Sequence, residues 1–133
     1  MFSHITLGTN DLERALQFYD AILEPLGVVR LLSLPEHGFA GYGPAGDKPG
    51  FFVCRPFNEK DATAGNGTHA AFLAPSREAV DAFHACGLAL GATDEGAPGP
   101  RPHYHEHYYG AYLRDHDGNK LQACCHAPAG TGA

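Results

Sequence analysis

The feature that most narrows what this chain can fold into is a repeat of itself. His4 and His69 stand 65 positions apart, and the same offset carries Phe18 to Phe83, Tyr19 to His84 and Leu23 to Leu88. Later in each half the offset is 70, which pairs Tyr42 with Tyr112, Asp47 with Asp117 and Phe52 with Gln122. A longer loop in the second copy accounts for the change, since loop lengthening costs little closure entropy. Two copies of one small unit must bury their apolar sides together, so the repeat decides the fold before any single element does.

Each copy reads as βαβββ. Phe2 to Leu7 alternates, with Ile5 and Leu7 on one side and Phe2, His4 and Thr6 on the other, as a strand occupied on both faces requires. Asn10 can cap a following helix whose first turn holds Asp11 and Glu13, and Leu12, Leu16, Tyr19 and Leu23 recur at helical spacing. Val28 to Leu34, Phe39 to Tyr42 and Phe51 to Cys54 are apolar runs parted by Pro and Gly turns, which predicts antiparallel strands.

After a polar, aperiodic connection from Asn58 to Asn66, the pattern restarts. Thr68 to Leu73 is a strand carrying His69; Pro75 and Ser76 open a helix with Ala79, Val80, Phe83 and Leu88 as its buried stripe. Strands are expected around His103 to His107, Tyr108 to Leu113 and Lys120 to Cys125. Ala92 to Pro102, rich in Gly and Pro, is expected to be a loop, and Ala127 to Ala133 a disordered tail. The expectation is one domain over 1–133, its modules spanning about 1–57 and 67–126.

Composition removes several classes of function. The net charge is -6 with only 9 Lys plus Arg and no basic cluster, which argues against a nucleic-acid partner. No apolar stretch approaches the ~20 residues a bilayer span needs, and nothing near Met1 reads as a signal sequence, so a cytoplasmic protein with no membrane partner is expected. Cys54, Cys86, Cys124 and Cys125 lack CxxC spacing and are expected to be reduced thiols.

Paired βαβββ units opening on a strand histidine, with Asn10-Asp11-Leu12-Glu13-Arg14-Ala15 leading to Phe18-Tyr19, resemble the glyoxalase, bleomycin-resistance and extradiol-dioxygenase superfamily, also called vicinal oxygen chelate proteins. Asp115-His116-Asp117-Gly118-Asn119-Lys120-Leu121-Gln122 resembles its turn before the last strand, with Gln where the family usually carries Glu. The segment from Arg101 to Gly110 is similar to a glyoxalase-like subgroup to which no agreed function attaches. The resemblance implies an α+β fold, two half-barrels with a shared cavity, a homodimer, and metal ligands from the first and last strand of each unit.

Those four places are His4, Phe52, His69 and Gln122, and Phe52 cannot bind a metal. Strand parity agrees, leaving His4, His69, Gln122 and Cys124 opposite the helix-facing side. Two imidazoles and an amide oxygen would suit Zn, Fe, Mn or Ni, but supply no charge against a dication. The other reading is that His4, His69 and Gln122 line a wet cavity with no metal.

His103, His105 and His107 would share one face of a strand, as a metal site would have them, or line the pocket mouth and meet an anion when protonated. Phe52, His105, Tyr109 and Tyr112 are the expected cavity groups, with Phe39 beside them. His37 and His116 are expected in solvated turns, and His84 at the surface or partly buried. Two functions stay open: a divalent-metal-dependent lyase, isomerase or dioxygenase acting on a small oxygenated metabolite, and a non-catalytic binding or resistance-type module. With Gln122 in the carboxylate's place, only His105 or Glu106 remains as a base for the first.

Overall fold

The computed structural model describes residues 1–130. The first module runs β1 (Ile5–Gly8), α1 (Leu12–Leu23), β2 (Val28–Leu34), β3 (Phe39–Pro44) and β4 (Phe51–Cys54). The second repeats it as β5 (His69–Leu73), α2 (Arg77–Ala89), β6 (Thr93–Pro100), β7 (Tyr109–Arg114) and β8 (Lys120–Cys125). This is the expected α+β fold of two βαβββ modules. The sheets have matching orders, β1-β4-β3-β2 and β5-β8-β7-β6. In each, the first strand runs parallel to the last and the other pairs are antiparallel. β1 and β5 are therefore edge strands, each with one side free of a strand partner.

Several boundaries differ from the sequence reading, each for a physical reason. β6 forms in the Gly- and Pro-rich stretch expected to be a loop. It can do so because it is the outer edge of its sheet, where proline's missing N–H is tolerated, and its register against β7 shifts around Gly96. The His103 to His107 run is not a strand but the connection between β6 and β7. Arg101 N–H donates to Tyr108 C=O at 2.7 Å and closes the loop, with turns from Tyr104 N to Arg101 C=O and from Tyr108 N to His105 C=O inside it.

At α1 the cap is Asp11, whose carboxylate accepts from Arg14 N–H, while the Asn10 side chain binds Ala62 in the connecting segment instead. At α2, Ser76 caps as expected, but Leu88 is exposed and His84 takes an inward place. Of the tail, Ala127 packs against the core, and 131–133 lie outside the described residues.

The register also corrects the repeat in its third strands. Gly41 lies opposite Phe52, and Tyr112 lies opposite Gln122, so Gly41 and Tyr112 are the equivalent positions and the offset there is 71. Tyr42 is equivalent to Leu113. Both are fully buried, whereas Tyr112 stands on the other face of its sheet.

One core serves both modules. From the first come Leu7, Leu16, Phe18, Ile22, Tyr42, Phe51 and Val53; from the second, Ala70, Val80, Phe83, Leu113, Leu121 and Ala123. Phe51 and Phe72 meet across the module boundary with ring centroids 5.0 Å apart. The residues shared with the core have one strand parity in each sheet, so both sheets turn the same side inward, toward α1 and α2.

The turn Asp115 to Asn119 locks this arrangement. Asp117 accepts from Thr9 Oγ1 at 2.6 Å and from Asn10 N–H at 2.9 Å, and Asn119 Nδ2 donates to Gly8 C=O at 2.9 Å. Asp115, buried, accepts from Tyr19 O–H at 2.5 Å and from Asn119 N–H at 2.8 Å. Gly118, at φ 89, supplies the left-handed residue that closes the turn. Removing the carboxylate strands the buried Tyr19 hydroxyl, and hydrogen bonds to a charged acceptor are each worth about 1.5–3 kcal/mol. Asp115→Ala should therefore cost about 3 kcal/mol in urea unfolding. An unchanged midpoint would show that the modules are not held here.

Candidate functional site

Away from the core, each sheet presents a second face. On the first sheet, His4, Thr6, Phe39, Phe52 and Cys54 line a cavity of about 820 Å³, completed by Glu36 and His37 ahead of β3, the latter expected in a solvated turn, and by Arg55, Phe57, Lys60 and Asp61 of the connecting segment. No described residue beyond Asp61 lines it. Phe52 lies edge-on to His4 with centroids 5.2 Å apart and faces Phe39 at 6.3 Å. Gly41 makes room for it, since a Cβ there would stand 2.7 Å from the Phe52 ring. His4 meets Ser3 Oγ through Nδ1 at 2.9 Å. Burial pushes the Cys54 thiol pKa up, so it is a poor thiolate nucleophile.

On the second sheet, His69, Tyr112, Lys120, Gln122 and Cys124 share the corresponding face by register. The β6–β7 loop folds onto it. Gln122 is buried and its Nε2 donates to Tyr108 O–H, whose ring lies over Gly110. Tyr108 also faces the Cys124 thiol, and burial pushes both the phenol and the thiol up.

A run of hydrogen bonds leads out from Cys124. His107 N–H donates to His105 Nδ1 at 3.1 Å, so neutral His105 carries its hydrogen on Nε2 and donates to His126 Nδ1 at 2.8 Å. His126 then presents Nε2–H to Cys124 Sγ at 3.7 Å. Of the histidine run, only His105 is drawn into this network. His103 stacks on Tyr104, and the His107 ring pairs with Glu106.

Further along the same face, Tyr112 receives His69 at 6.1 Å, Lys120 Nζ at 5.1 Å and Arg101 Cζ at 5.9 Å from its ring. Burial raises the Tyr112 pKa, with Tyr104 adding to the effect, so the phenol stays protonated at neutral pH.

Of the residues chosen from sequence, His4 and Phe52 meet on one face, and His69, Gln122, Tyr112 and His105 belong to the other. Tyr109 belongs to neither. Its hydroxyl donates to Asp81 of α2 at 2.6 Å and Arg77 lies over its ring, because it shares the inward parity of Ala111 and Leu113; its pKa is pushed up to about 12, first by burial and then by Asp81. The signal was present: positions 109 and 112 are an odd number apart and cannot face the same side of a strand. Tyr108, Tyr104, Arg101, Lys120 and His126 were missed, although Lys120 and His126 follow from extending the parity of Gln122. Two histidines placed in solvent or near it are also engaged: His116 Nε2–H donates to Leu90 C=O at 2.9 Å, and buried His84 pairs with Asp94 at 3.0 Å.

The profile of the Glyoxalase/Bleomycin resistance protein/Dioxygenase superfamily matches residues 1–123. The chain belongs to that superfamily. A solved glyoxalase/bleomycin resistance protein from Albidiferax ferrireducens T118 is similar at 42% identity and a TM-score of 0.83, covering 96% of this chain and 99% of its own. A glyoxalase/bleomycin resistance protein/dioxygenase family enzyme from Burkholderia phytofirmans PsJN shares the fold at 20% identity and TM-score 0.68, over 94% of this chain and 98% of its own. The fosfomycin resistance protein FosX from Mesorhizobium loti shares it at 19% and 0.66, over 96% and 92%. No functionally curated protein matches the sequence.

The Gln122–Tyr108 pair yields a test of the second face. Tyr108→Phe strands a buried amide N–H, at about 1–3 kcal/mol. Replacing both partners, as in Tyr108→Phe with Gln122→Leu, should recover most of that loss in urea unfolding, because neither is then left unsatisfied. A double variant as unstable as the sum of its parts would show that the two side chains do not depend on each other.

Proposed function

We propose that this superfamily member is a homodimeric small-molecule-binding protein whose ligand is enclosed between the first-sheet face of one copy and the second-sheet face of the other. The observation that carries this reading is the outward placement of both faces. With the two sheets turned inward to one core, His4 and His69 look away from it, which supports reading each face as half of an enclosure.

The free edges of β1 and β5 flank these faces, with exposed apolar side chains at Phe2, just before β1, at 73% and at Leu73 of β5 at 71%. Both line an apolar cleft between the modules, floored by Phe51 and Phe72, that a second copy would cover. Phe57, fully exposed, rims the first face. Four free thiols suit a reducing compartment, and no described helix is long and apolar enough to cross a membrane, so this reading places the protein in the cytoplasm.

A divalent metal, which the superfamily implies, fits poorly. In such an enclosure His4 of one copy and His69 with Gln122 of the other would be its ligands, and Phe52 stands in the fourth place. Those donors are all neutral, so they supply no charge against a dication. The binding role is therefore preferred to a metal-assisted lyase, isomerase or dioxygenase, which rests only on the equivalent placement of His4 and His69.

Sedimentation should give a dimer for the full chain, and Leu73→Glu should shift it toward monomer; a wild-type monomer at micromolar concentration would sink the enclosure. Untagged protein should hold less than one first-row metal ion per chain after reconstitution with Zn, Fe, Mn or Ni. Gln122→Glu, which supplies the missing charge, should raise metal affinity. Stoichiometric metal in the wild type would reverse the choice between the two functions.

A further inference from the structure

We infer that the second-sheet face is an anion subsite centred on Lys120, and that the ligand is a flat aromatic carboxylate. This rests on the proposed binding role and adds the ligand's chemical class. Lys120 opens β8, between His69 of β5 and Arg114 of β7 in register. It is partly buried, and its ammonium lies 5.1 Å from the Tyr112 ring centroid. Among the described residues no carboxylate comes within ion-pairing distance of it.

An ammonium whose one contact across this face is a cation–π contact keeps its hydrogen-bond donors for an anion, and a carboxylate would meet them with a charge-assisted bond.

The surroundings reinforce the sign. Arg101 reaches the same ring from the β6 side and is held there by the carbonyls of Ala97, Gly99 and Pro100, so its charge too lacks a carboxylate. Arg114 is the exception, paired with Glu95 at 2.5 Å, while Glu106 of the loop is 86% exposed and lies against His107. On a chain of net charge -6, this face is locally positive. A positive face on an acidic protein concentrates anions there.

The remaining lining is aromatic and open. Tyr112 O–H meets Tyr104 O–H at 3.5 Å, and the Tyr104 ring, more than half exposed, stands 4.8 Å from Tyr108. His69 closes the other side of Tyr112 at 6.1 Å. Rings set edge to face along an arc leave a π-surface against which a planar ligand stacks while its carboxylate reaches Lys120.

The test titrates benzoate and its neutral isostere benzamide into the full chain, read by calorimetry and by amide shifts in ¹⁵N spectra. Benzoate should bind about tenfold or more tightly, the increment expected of a charge-assisted hydrogen bond, with shifts at Tyr112 and His69. The preference should vanish in Lys120→Met, persist in Lys120→Arg and weaken with salt.

Equal affinities, a preference that survives Lys120→Met, or no saturable binding of either compound would overturn the assignment. Sedimentation of the same samples separates this result from the fate of the enclosure. A monomer that prefers benzoate keeps the subsite and loses the dimer, and a dimer without preference does the reverse.

Discussion

The hydrogen bonds of the Asp115 to Asn119 turn are what the rest of the molecule depends on. A βαβββ unit of this size has one apolar sheet face and one helix to cover it, too little to bury a core alone. The turn ties the second unit to the first at the β1–α1 corner, through Thr9, Asn10 and Gly8, while Asp115 reaches inward to Tyr19. The corner is reinforced from outside by Ala62 of the connecting segment, bound by both ends of the Asn10 amide. A turn that looks like surface chemistry in the sequence is thus the joint between the modules.

Fixing that joint also fixes where function can reside. Once the helix-bearing sides share one core, the faces carrying His4 and His69 are the ones left for ligands. Packing and binding therefore draw on different residues: the inward parity of the central strands β3, β4, β7 and β8 packs toward the helices, the outer strands admit the ion pairs Arg30–Asp20 and Asp94–His84 on that side, and the outward parity is free to vary. The variation is visible within this one chain, where Phe52 and Gln122 occupy equivalent positions and have opposite chemistry.

Much of this was legible in the sequence because duplication supplies its own control. The helices, the parity of β1, β5 and β8, and the placement of His4, His69, Gln122 and Cys124 follow from periods that recur twice. What stayed hidden falls into two kinds. Register inside a hairpin depends on turn length, so one additional residue between β3 and β4 relative to β7 and β8 made Tyr42 look like the counterpart of Tyr112 when Leu113 is. The β6–β7 loop was unreadable for another reason: its histidines alternate like a strand, while the bonds that shape it run between backbone groups that carry no sequence signature. The roles of Arg101, Tyr104 and Tyr108 are set by that loop, and so escaped with it.

The two outward faces differ in a way that gives any enclosed ligand a direction. In the first module the cross-strand pair is Gly41 with Phe52, and the phenylalanine ring fills the space its glycine leaves. In the second, Tyr112 supplies the ring and Gln122 lies beside it under Tyr108. Ring bulk is retained in both copies but has moved from the last strand to its neighbour. The freed position has become polar, with cations at Lys120 and Arg101 alongside. In the enclosure we propose, a molecule would set its apolar edge against Phe39 and Phe52, where Arg55 and Lys60 are balanced by Glu36, Glu59 and Asp61, and its charge against Lys120. The unlike halves of a duplicated fold would then do what a symmetric pair could not: they would distinguish the two ends of the ligand.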